Sequence, residues 1–224
     1  MLSQKKIIVI IQARVNSSRL PNKVLLKINK IPSIKRLVDR VKVSKYCKEI
    51  WIATGKAKIN DKLVNIFKNT DIKVYRGDDS DVLSRYVDIA KSTRAEIIVR
   101  LTGDCPLIDP EIIDKTIELF INEKADYASN IINRTYPDGL DVEVFSKKVL
   151  FETDQKSMTS FSREHVTTYM HGIHKKKYPS GKFKRVSLEH SANFSHLRWT
   201  LDEEKDLVFL NAQMSVALIH HQQL

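Results

Sequence analysis

The chain has 224 residues and is 42% hydrophobic, which is enough for one large domain with a substantial core. Its formal net charge of +11 favours anionic partners such as phosphorylated small molecules. The lysines are scattered and lack interleaved aromatic residues, so nucleic-acid binding is not expected.

No run approaches the ~20 apolar residues of a membrane span and no signal-peptide pattern is present, so we expect a cytoplasmic protein without a membrane partner. Cys47 and Cys105 lack metal-ligand and disulfide-framework spacing and are expected to be reduced.

Nearly continuous apolar runs predict four buried strands, at residues 7–11, 50–53, 72–75 and 96–101. Helical spacing of apolar residues predicts helices at 34–43, 61–68, 81–91 and 111–121. The expected helix starts are Ser33, Ser80 and Asp109-Pro110, because Ser and Asp cap helices and Pro fits the first turn. This alternation predicts an α/β fold with a mostly parallel central sheet and helices on both faces.

The pattern of elements changes after residue 125. Short strands are predicted at 127–129 and 141–145, on either side of a turn at Tyr136-Pro137-Asp138-Gly139. A helix is predicted at 163–171, and the Lys-, Ser- and His-rich stretch 175–193 indicates an arm before 197–200 returns to the sheet. A last helix is expected after Asp202. We therefore expect a single domain over 1–224, with an arm or lid at about 172–195.

A cation-rich loop, from Gln12 to Lys23, directly follows the first predicted strand. It places Arg14, Arg19 and Lys23 where the carboxyl edge of a parallel sheet binds ligands. Arg offers a bidentate fork and Lys a compact charge, so the loop suits a polyphosphate. The glycine patterns of Walker and dinucleotide-binding loops are absent, and side-chain cations must replace glycine amides. A solvated basic loop is the alternative.

A carboxylate follows the fourth predicted strand, in the segment from Thr102 through Asp104 to Pro110. Asp104 is expected at the same edge of the sheet as the cationic loop. A carboxylate that faces a triphosphate indicates Mg²⁺, which takes one or two protein carboxylates together with phosphate oxygens and waters. The alternative for Asp104 is a turn or helix-cap residue.

Six blocks in order along nearly the whole chain carry a family resemblance. The chain resembles the spore coat polysaccharide F-type cytidylyltransferases, which are relatives of CMP-sugar-acid synthetases such as the acylneuraminate and deoxy-octulosonate enzymes. The six blocks are 12–23, 52–54, 76–86, 102–110, 136–145 and 196–207.

The resemblance implies a GT-A-like fold, as in nucleotide-diphospho-sugar transferases. It also implies a Mg²⁺-dependent enzyme that couples CTP to a sugar or sugar acid with release of pyrophosphate. By this resemblance Arg14, Arg19 and Lys23 hold the triphosphate, and Lys23 stabilises charge at the α-phosphate. Asp104 and Asp202 are the implied metal ligands, although Asp202 in front of Glu203 and Glu204 also suits a helix start.

Further positions match nucleotide-binding and acceptor-binding blocks of the family. The implied nucleotide-binding residues are Gln12, Ala13, Ser17, Ala53, Thr54, Arg76, Gly77, Arg85, Thr102 and Gly103. The implied acceptor-binding residues are Asp141, Glu143, Arg163 and Glu164.

Alternation along 138–144 puts Asp141 and Glu143 on one face of a predicted strand, where they can bind or deprotonate a sugar hydroxyl. The alternatives are a solvated strand face and, for Arg163, Glu164 and His165, a structural polar network.

Two other function classes remain open at this level. One is a GT-A glycosyltransferase that consumes a nucleotide sugar, although a nucleoside diphosphate sugar does not need so cationic a loop. The other is a non-catalytic nucleotide or polyanion binder on the same fold. The arm carries no motif that identifies the sugar, and the resemblance allows a homodimer built by that arm.

Overall fold

A computed structural model describes residues 6–173, 176–177 and 179–221, with side chains described up to residue 214. Strands within this part of the chain are, in order, β1 (Ile7–Gln12), β2 (Lys27–Ile28), β3 (Ile31–Pro32), β4 (Ile50–Gly55), β5 (Lys73–Gly77), β6 (Ile97–Thr102), β7 (Tyr127–Ser129), β8 (Glu143–Ser146) and β9 (Arg185–Ser187). The helices are α1 (Ser33–Val41), α2 (Asp61–Phe67), α3 (Val82–Ser92), α4 (Pro110–Asn122), α5 (Lys147–Lys156), α6 (Ser160–His165), α7 (Thr168–His171) and α8 (Glu204–His221).

Seven of these strands form the central sheet, in the order β5-β4-β1-β6-β8-β7-β9. The first four are parallel, β8 is antiparallel to β6 and β7, and β9 is parallel to β7. Gln12 at the end of β1 lies in register with Ala53 and Thr102, so the loops after three strands meet at one edge. The predicted mostly parallel α/β sheet is confirmed.

Helices cover both faces of the sheet, as the sequence predicts. Ile7, Val9 and Ile11 pack into a core with α1, α2 and α4. Ile8 and Ile10 point to the other face and pack with α3, α5 and Val166. Each apolar side chain of β1 is therefore buried on one face or the other, which explains the uninterrupted apolar run.

Helix starts follow local capping chemistry. Asp109 accepts a hydrogen bond from Glu111 N, with Pro110 in the first turn of α4, as predicted. At α3 the cap is Asp81, which accepts from Ser84 N, and not Ser80. The position was wrong by one residue because Asp78 already accepts from the Ser80 amide and hydroxyl.

The predicted helix at 163–171 is interrupted. Val166 has a φ of 60° and separates α6 from α7. Its side chain is fully buried in the α3 side of the core, and the break turns the Thr167 hydroxyl toward Glu143, 2.7 Å away. Tertiary contacts outweigh helix propensity here, because a continuous helix would lose the burial of Val166 and the hydrogen bond from Thr167 to Glu143.

The predicted arm is in part an edge strand, since β9 pairs with β7. Residues 174, 175 and 178 of the predicted arm, including one lysine of the 175–177 cluster, lie outside the described residues. Residues 197–200 do not return to the sheet as a strand and make one isolated bridge, between Asp138 and Arg198. No described helix combines the length and apolar character needed to cross a bilayer.

Candidate active site

A cavity of about 280 Å³ opens at the carboxyl edge of the parallel strands. Its walls are the loop after β1, the loop after β6, the start of α3 and the end of α6. The lining residues are Gln12, Ala13, Arg14, Ser17, Ser18, Arg19, Lys23, Val24, Val82, Arg85, Thr102, Gly103, Asp104, Glu164 and His165. Ser18, Val24, Val82 and His165 also line the cavity but were not among the predicted site residues.

Lys23 joins the two carboxylates that the resemblance assigns to a metal. Asn22 adopts a left-handed conformation and turns the chain into a short 3₁₀ segment, Lys23–Leu25. The Lys23 ammonium lies 2.7 Å from Asp104 Oδ2 and 2.7 Å from Asp202 Oδ1. Burial alone would lower the pKa of Lys23, but the two carboxylates outweigh it and raise the pKa, so the ammonium stays charged.

Asp202 reaches the cavity edge through contacts of its own segment. Leu201 N donates to Asp104 O at 2.8 Å, which fixes this segment against the loop after β6. Asp202 Oδ2 accepts from the Thr200 hydroxyl at 3.1 Å and lies 3.2 Å from the Arg19 guanidinium. Burial opposes its ionisation, yet Lys23 and Arg19 outweigh that effect and hold the pKa of Asp202 below its ordinary value.

The helix-cap alternative for Asp202 is wrong. The Asp202 and Glu203 amides, just before α8, donate to Asp206 Oδ2 in its first turn, at 2.8 and 2.9 Å, and the Asp202 carboxylate accepts from no helix amide among the described contacts. Asp206 therefore satisfies these amides and leaves the Asp202 carboxylate for Lys23, Arg19, Arg198 and Thr200.

The donor set fits a magnesium ion. Asp104 and Asp202 approach one cation closely enough for both to bond it, which is the pair of carboxylates that Mg²⁺ takes when phosphates and waters complete its shell. The described residues hold no group of three or more His, Cys, Asp or Glu side chains that would enclose a metal by protein ligands alone.

Three arginines differ in how freely they face the cavity. The side chain of Arg14 is 52% exposed and lies 3.4 Å from Glu164, and that of Arg19 is 62% exposed. Arg85 is buried and donates to the backbone oxygens of Asp78 and Asp79. The guanidinium groups of Arg14 and Arg19 are therefore accessible to a phosphate, whereas that of Arg85 is held by backbone oxygens at the cavity wall.

Four predicted nucleotide-binding residues lie at the ends of β4 and β5 and do not line this cavity. Ala53 and Thr54 are buried, and the Thr54 hydroxyl has no hydrogen-bond partner among the described residues. Arg76 pairs with Asp61 at 2.6 Å and donates to the backbone oxygens of Lys56 and Ala57. Gly77 lies against Arg85, since an added Cβ would meet Arg85 Cγ at 2.7 Å.

The predicted acceptor residues are not brought together in the cavity. Asp141 precedes β8 and forms a bidentate pair with Arg134, at 2.6 and 2.8 Å. Arg163 bridges Asp81, the cap of α3, and Asp154 on α5. Of the four, Glu164 lines the cavity. The alternative of a solvated strand face does not describe Asp141, because its carboxylate pairs with Arg134 and is partly buried, and burial raises its pKa even against Arg134.

Glu143 lies in a buried polar network beneath the cavity. Its carboxylate pairs with Arg100 and accepts from the Tyr127 hydroxyl at 2.6 Å and the Thr167 hydroxyl at 2.7 Å. Burial opposes ionisation, but Arg100 and the Tyr127 hydroxyl outweigh it and lower the pKa of Glu143. Sequence reasoning missed Arg100, although a charge inside the apolar run of β6 is a signal for such a pair.

A cation-rich loop at the carboxyl edge of a mostly parallel sheet, opposite two converging carboxylates, defines an α/β protein of the nucleotidyltransferase class. The chain belongs to the cytidylyltransferase family, whose sequence model matches residues 8–206.

An uncharacterized protein of Methanocaldococcus jannaschii is 36% identical to it over 96% of this chain and 86% of that protein. The spore coat polysaccharide biosynthesis protein SpsF of Bacillus subtilis is 33% identical over 73% of this chain and 69% of that protein. The solved structure of a cytidylyltransferase from Leptospira borgpetersenii superposes with a TM-score of 0.88 at 32% identity, covering 95% of this chain and 88% of that one.

Proposed function

We propose that this protein transfers CMP from CTP to a sugar or sugar acid and releases pyrophosphate, in a Mg²⁺-dependent step of polysaccharide or glycan biosynthesis in the cytoplasm. The observation that carries the proposal is the contact of Lys23 with both Asp104 and Asp202, at the foot of the loop that presents Arg14 and Arg19. Membership of the cytidylyltransferase family and similarity to a polysaccharide biosynthesis protein support the same reaction.

The reaction is an in-line displacement at the α-phosphorus of CTP. A hydroxyl oxygen of the acceptor forms the new bond to phosphorus, the bond to the pyrophosphate oxygen breaks, and the acceptor proton leaves to solvent or a nearby base. Arg14 and Arg19 hold the β- and γ-phosphates through their exposed forks. Lys23 exchanges its carboxylate partners for phosphate oxygens and stabilises the charge that builds up there during transfer.

Asp104 and Asp202 would hold the magnesium ion, which supplies positive charge on the phosphate oxygens. In the structure the Lys23 ammonium neutralises the same pair of carboxylates. Lys23 therefore keeps two acidic groups close together until a substrate with its own cation arrives. Positioning and electrostatics supply most of the catalysis in this scheme.

The two alternatives predict different chemistry. A glycosyltransferase would consume a nucleotide sugar and release no pyrophosphate, and its donor would not need three cations in the first loop. A non-catalytic binder would hold nucleotide without turnover and would tolerate loss of Asp104. The charge of Lys23, Arg14 and Arg19 favours a triphosphate substrate over both.

The test incubates the protein with each of the four nucleoside triphosphates, Mg²⁺ and a panel of acidic sugars, and measures pyrophosphate release. We expect release with CTP and one acidic sugar, lost on removal of Mg²⁺ and in Asp104→Asn. Asp109→Asn is the matched control, since Asp109 caps α4 outside the cavity and Asn caps nearly as well. Nucleotide binding without pyrophosphate from any combination would contradict the proposal.

A further inference from the structure

We propose that Gln12 is a fixed hydrogen-bond donor to the substrate, and that the buried pair Arg100 and Glu143 sets its orientation. Its target is an atom with a free lone pair, either a ring nitrogen or carbonyl oxygen of the pyrimidine base or an oxygen of the acceptor sugar. This inference deepens the proposed function and rests on it for the identity of the substrates.

Gln12 stands between the buried network and the cavity. It is the last residue of β1, lies between Ala53 and Thr102 in the sheet and lines the cavity. Its side chain points to the α3 side of the sheet, as those of Ile8 and Ile10 do. The amide is therefore a polar group of the cavity wall that the buried network contacts from behind.

The orientation of the Gln12 amide follows from its partners. Gln12 Oε1 accepts from Arg100 Nε at 3.1 Å, and the Tyr86 hydroxyl lies 3.2 Å away. An arginine Nε–H can only donate, so the amide atom that faces it must be the oxygen. Burial raises the pKa of Tyr86, which keeps its hydroxyl protonated. The amide NH₂ therefore faces away from the network, and it has no hydrogen-bond partner among the described residues.

Arg100 cannot turn away to release the amide. Its guanidinium is bound to Glu143, and Glu143 is also bound by the hydroxyls of Tyr127 and Thr167. The side chain of Glu143 is 3% exposed and that of Arg100 is 13% exposed, so both are shielded from water that could replace these bonds. The left-handed Val166 presents Thr167 to this carboxylate, which gives the strained backbone a role in holding the network.

A donor held in this way discriminates by chemistry. The NH₂ group complements N3 and O2 of cytosine, both of which carry lone pairs. Uracil keeps the O2 acceptor but carries a hydrogen on N3, so the donor distinguishes the two bases where it meets N3. A sugar oxygen is the other possible source of the lone pair, and the same donor would then position the acceptor. A substrate atom with a lone pair accepts this hydrogen bond and leaves the Gln12 NH₂ group paired. A substrate that presents a hydrogen there leaves the NH₂ group unpaired and binds less well.

The test variant is Gln12→Glu, which keeps an oxygen toward Arg100 and Tyr86 and replaces the NH₂ by a second oxygen of similar size. Gln155→Glu, on the exposed face of α5, is the control for the added charge. Calorimetry measures binding of CTP and of UTP with Mg²⁺ in the absence of any sugar. Steady-state kinetics with 3-deoxy-manno-octulosonate or N-acetylneuraminate measures KM for the acceptor, and thermal melts check folding.

Two outcomes support the proposal and separate the sources. If the donor contacts the base, Gln12→Glu and the uncharged Gln12→Met, which lacks the donor without adding charge to the cavity, both weaken CTP binding at least about tenfold, and Gln155→Glu does not. If it contacts the acceptor, CTP binding stays within twofold while acceptor KM rises about tenfold. Unchanged CTP binding together with unchanged acceptor KM overturns the proposal. Should Gln12→Glu not fold, Gln12→Met, which lacks the donor and carries no charge, takes its place with the same readouts.

Arg100→Lys tests the positioning role separately. Lysine keeps a positive charge near Glu143 but lacks the Nε–H that fixes the Gln12 oxygen. We expect Arg100→Lys to weaken whichever binding, of CTP or of the acceptor, Gln12→Glu weakens. In a protein that already carries Arg100→Lys, Gln12→Glu should then cause a much smaller further loss of binding free energy, since the two residues act in one chain of contacts. If the losses of binding free energy in the two single variants add fully in the double variant, Arg100 does not orient Gln12. The calorimetric arm needs no turnover, so a wild-type protein that binds CTP without releasing pyrophosphate would refute the proposed function and still test Gln12.

Discussion

The Lys23 ammonium and an Asp202 carboxylate oxygen lie 2.7 Å apart although 179 positions separate these residues in the chain. The contact ties the loop after β1 to the segment that leads into α8. Asp104 shares the same ammonium, so three chain segments meet at one charged group. The contact is structural in the free protein, and under the proposed function Lys23 exchanges these carboxylates for phosphate oxygens.

Replacing Lys23 by Met should lower kcat by about 10²–10³, the usual cost of removing one oriented charge at a developing oxyanion. Removing the ammonium also leaves Asp104 and Asp202 without their shared cation. We therefore expect Lys23→Met to bind Mg²⁺ more tightly than wild type in the absence of nucleotide, as measured by titration calorimetry. Lys27→Met, at an exposed position of β2, should change neither quantity. If Lys23→Met only raises the KM for CTP, by tenfold or less, and leaves kcat unchanged, then Lys23 acts only by attracting the nucleotide electrostatically.

Asp202 and Asp206 should respond differently to substitution. Asp202→Asn should leave the melting temperature nearly unchanged, raise the Mg²⁺ concentration needed for half-maximal activity and depress kcat, because an amide binds the ion poorly. Asp206→Ala should cost about 1 kcal/mol of stability, since Asp206 accepts the amides of Asp202 and Glu203. Mg²⁺ titrations and thermal melts on both variants separate the roles. An unaltered Mg²⁺ curve in Asp202→Asn would leave Asp104 as the single carboxylate ligand.

The ionisation of Glu143 should make the free energy of unfolding depend on pH below about pH 4.5. Its pKa in the folded protein lies below the ordinary value of 4.5, so its ionisation stabilises the fold fully above about pH 4.5. That contribution is lost as the pH falls through the folded-state pKa.

Glu143→Gln leaves Arg100 without its counter-ion, and we expect a loss of about 3 kcal/mol at pH 7. Urea unfolding of both proteins at pH 7 and below pH 4.5 measures the difference, which should shrink in acid. A difference that stays constant over this range would assign the loss to packing alone.

Gly139 should be intolerant of a side chain. Its φ is 107°, and an added Cβ would lie 2.6 Å from the Trp199 carbonyl carbon and 2.7 Å from Thr200 N. Gly139→Ala should cost about 1–3 kcal/mol through backbone strain. It should also displace the segment 199–202 and so lower kcat through Asp202. Thermal melts and steady-state kinetics check both effects, and a stable variant with altered activity would show that the segment moves without unfolding the protein.

The sequence by itself determined the strands of the parallel sheet, the helices between them and the edge at which the candidate site lies. These features depend on apolar spacing, capping residues and the rule that parallel strands end at one edge, all of which act within a few residues. Local rules are therefore enough to place the cationic loop and Asp104 at the cavity edge. The family resemblance added Asp202, which local rules alone assign equally well to a helix start.

Only the tertiary structure decided what each polar side chain contacts. Local alternation put Asp141 and Glu143 on an open face, yet Arg134 and Arg100 bind them. The break at Val166, the edge strand β9 and the orientation of Gln12 likewise depend on partners distant in sequence. The physical reason is that a buried polar group takes the partner that the fold brings to it, and the free energy of that pairing outweighs local propensity.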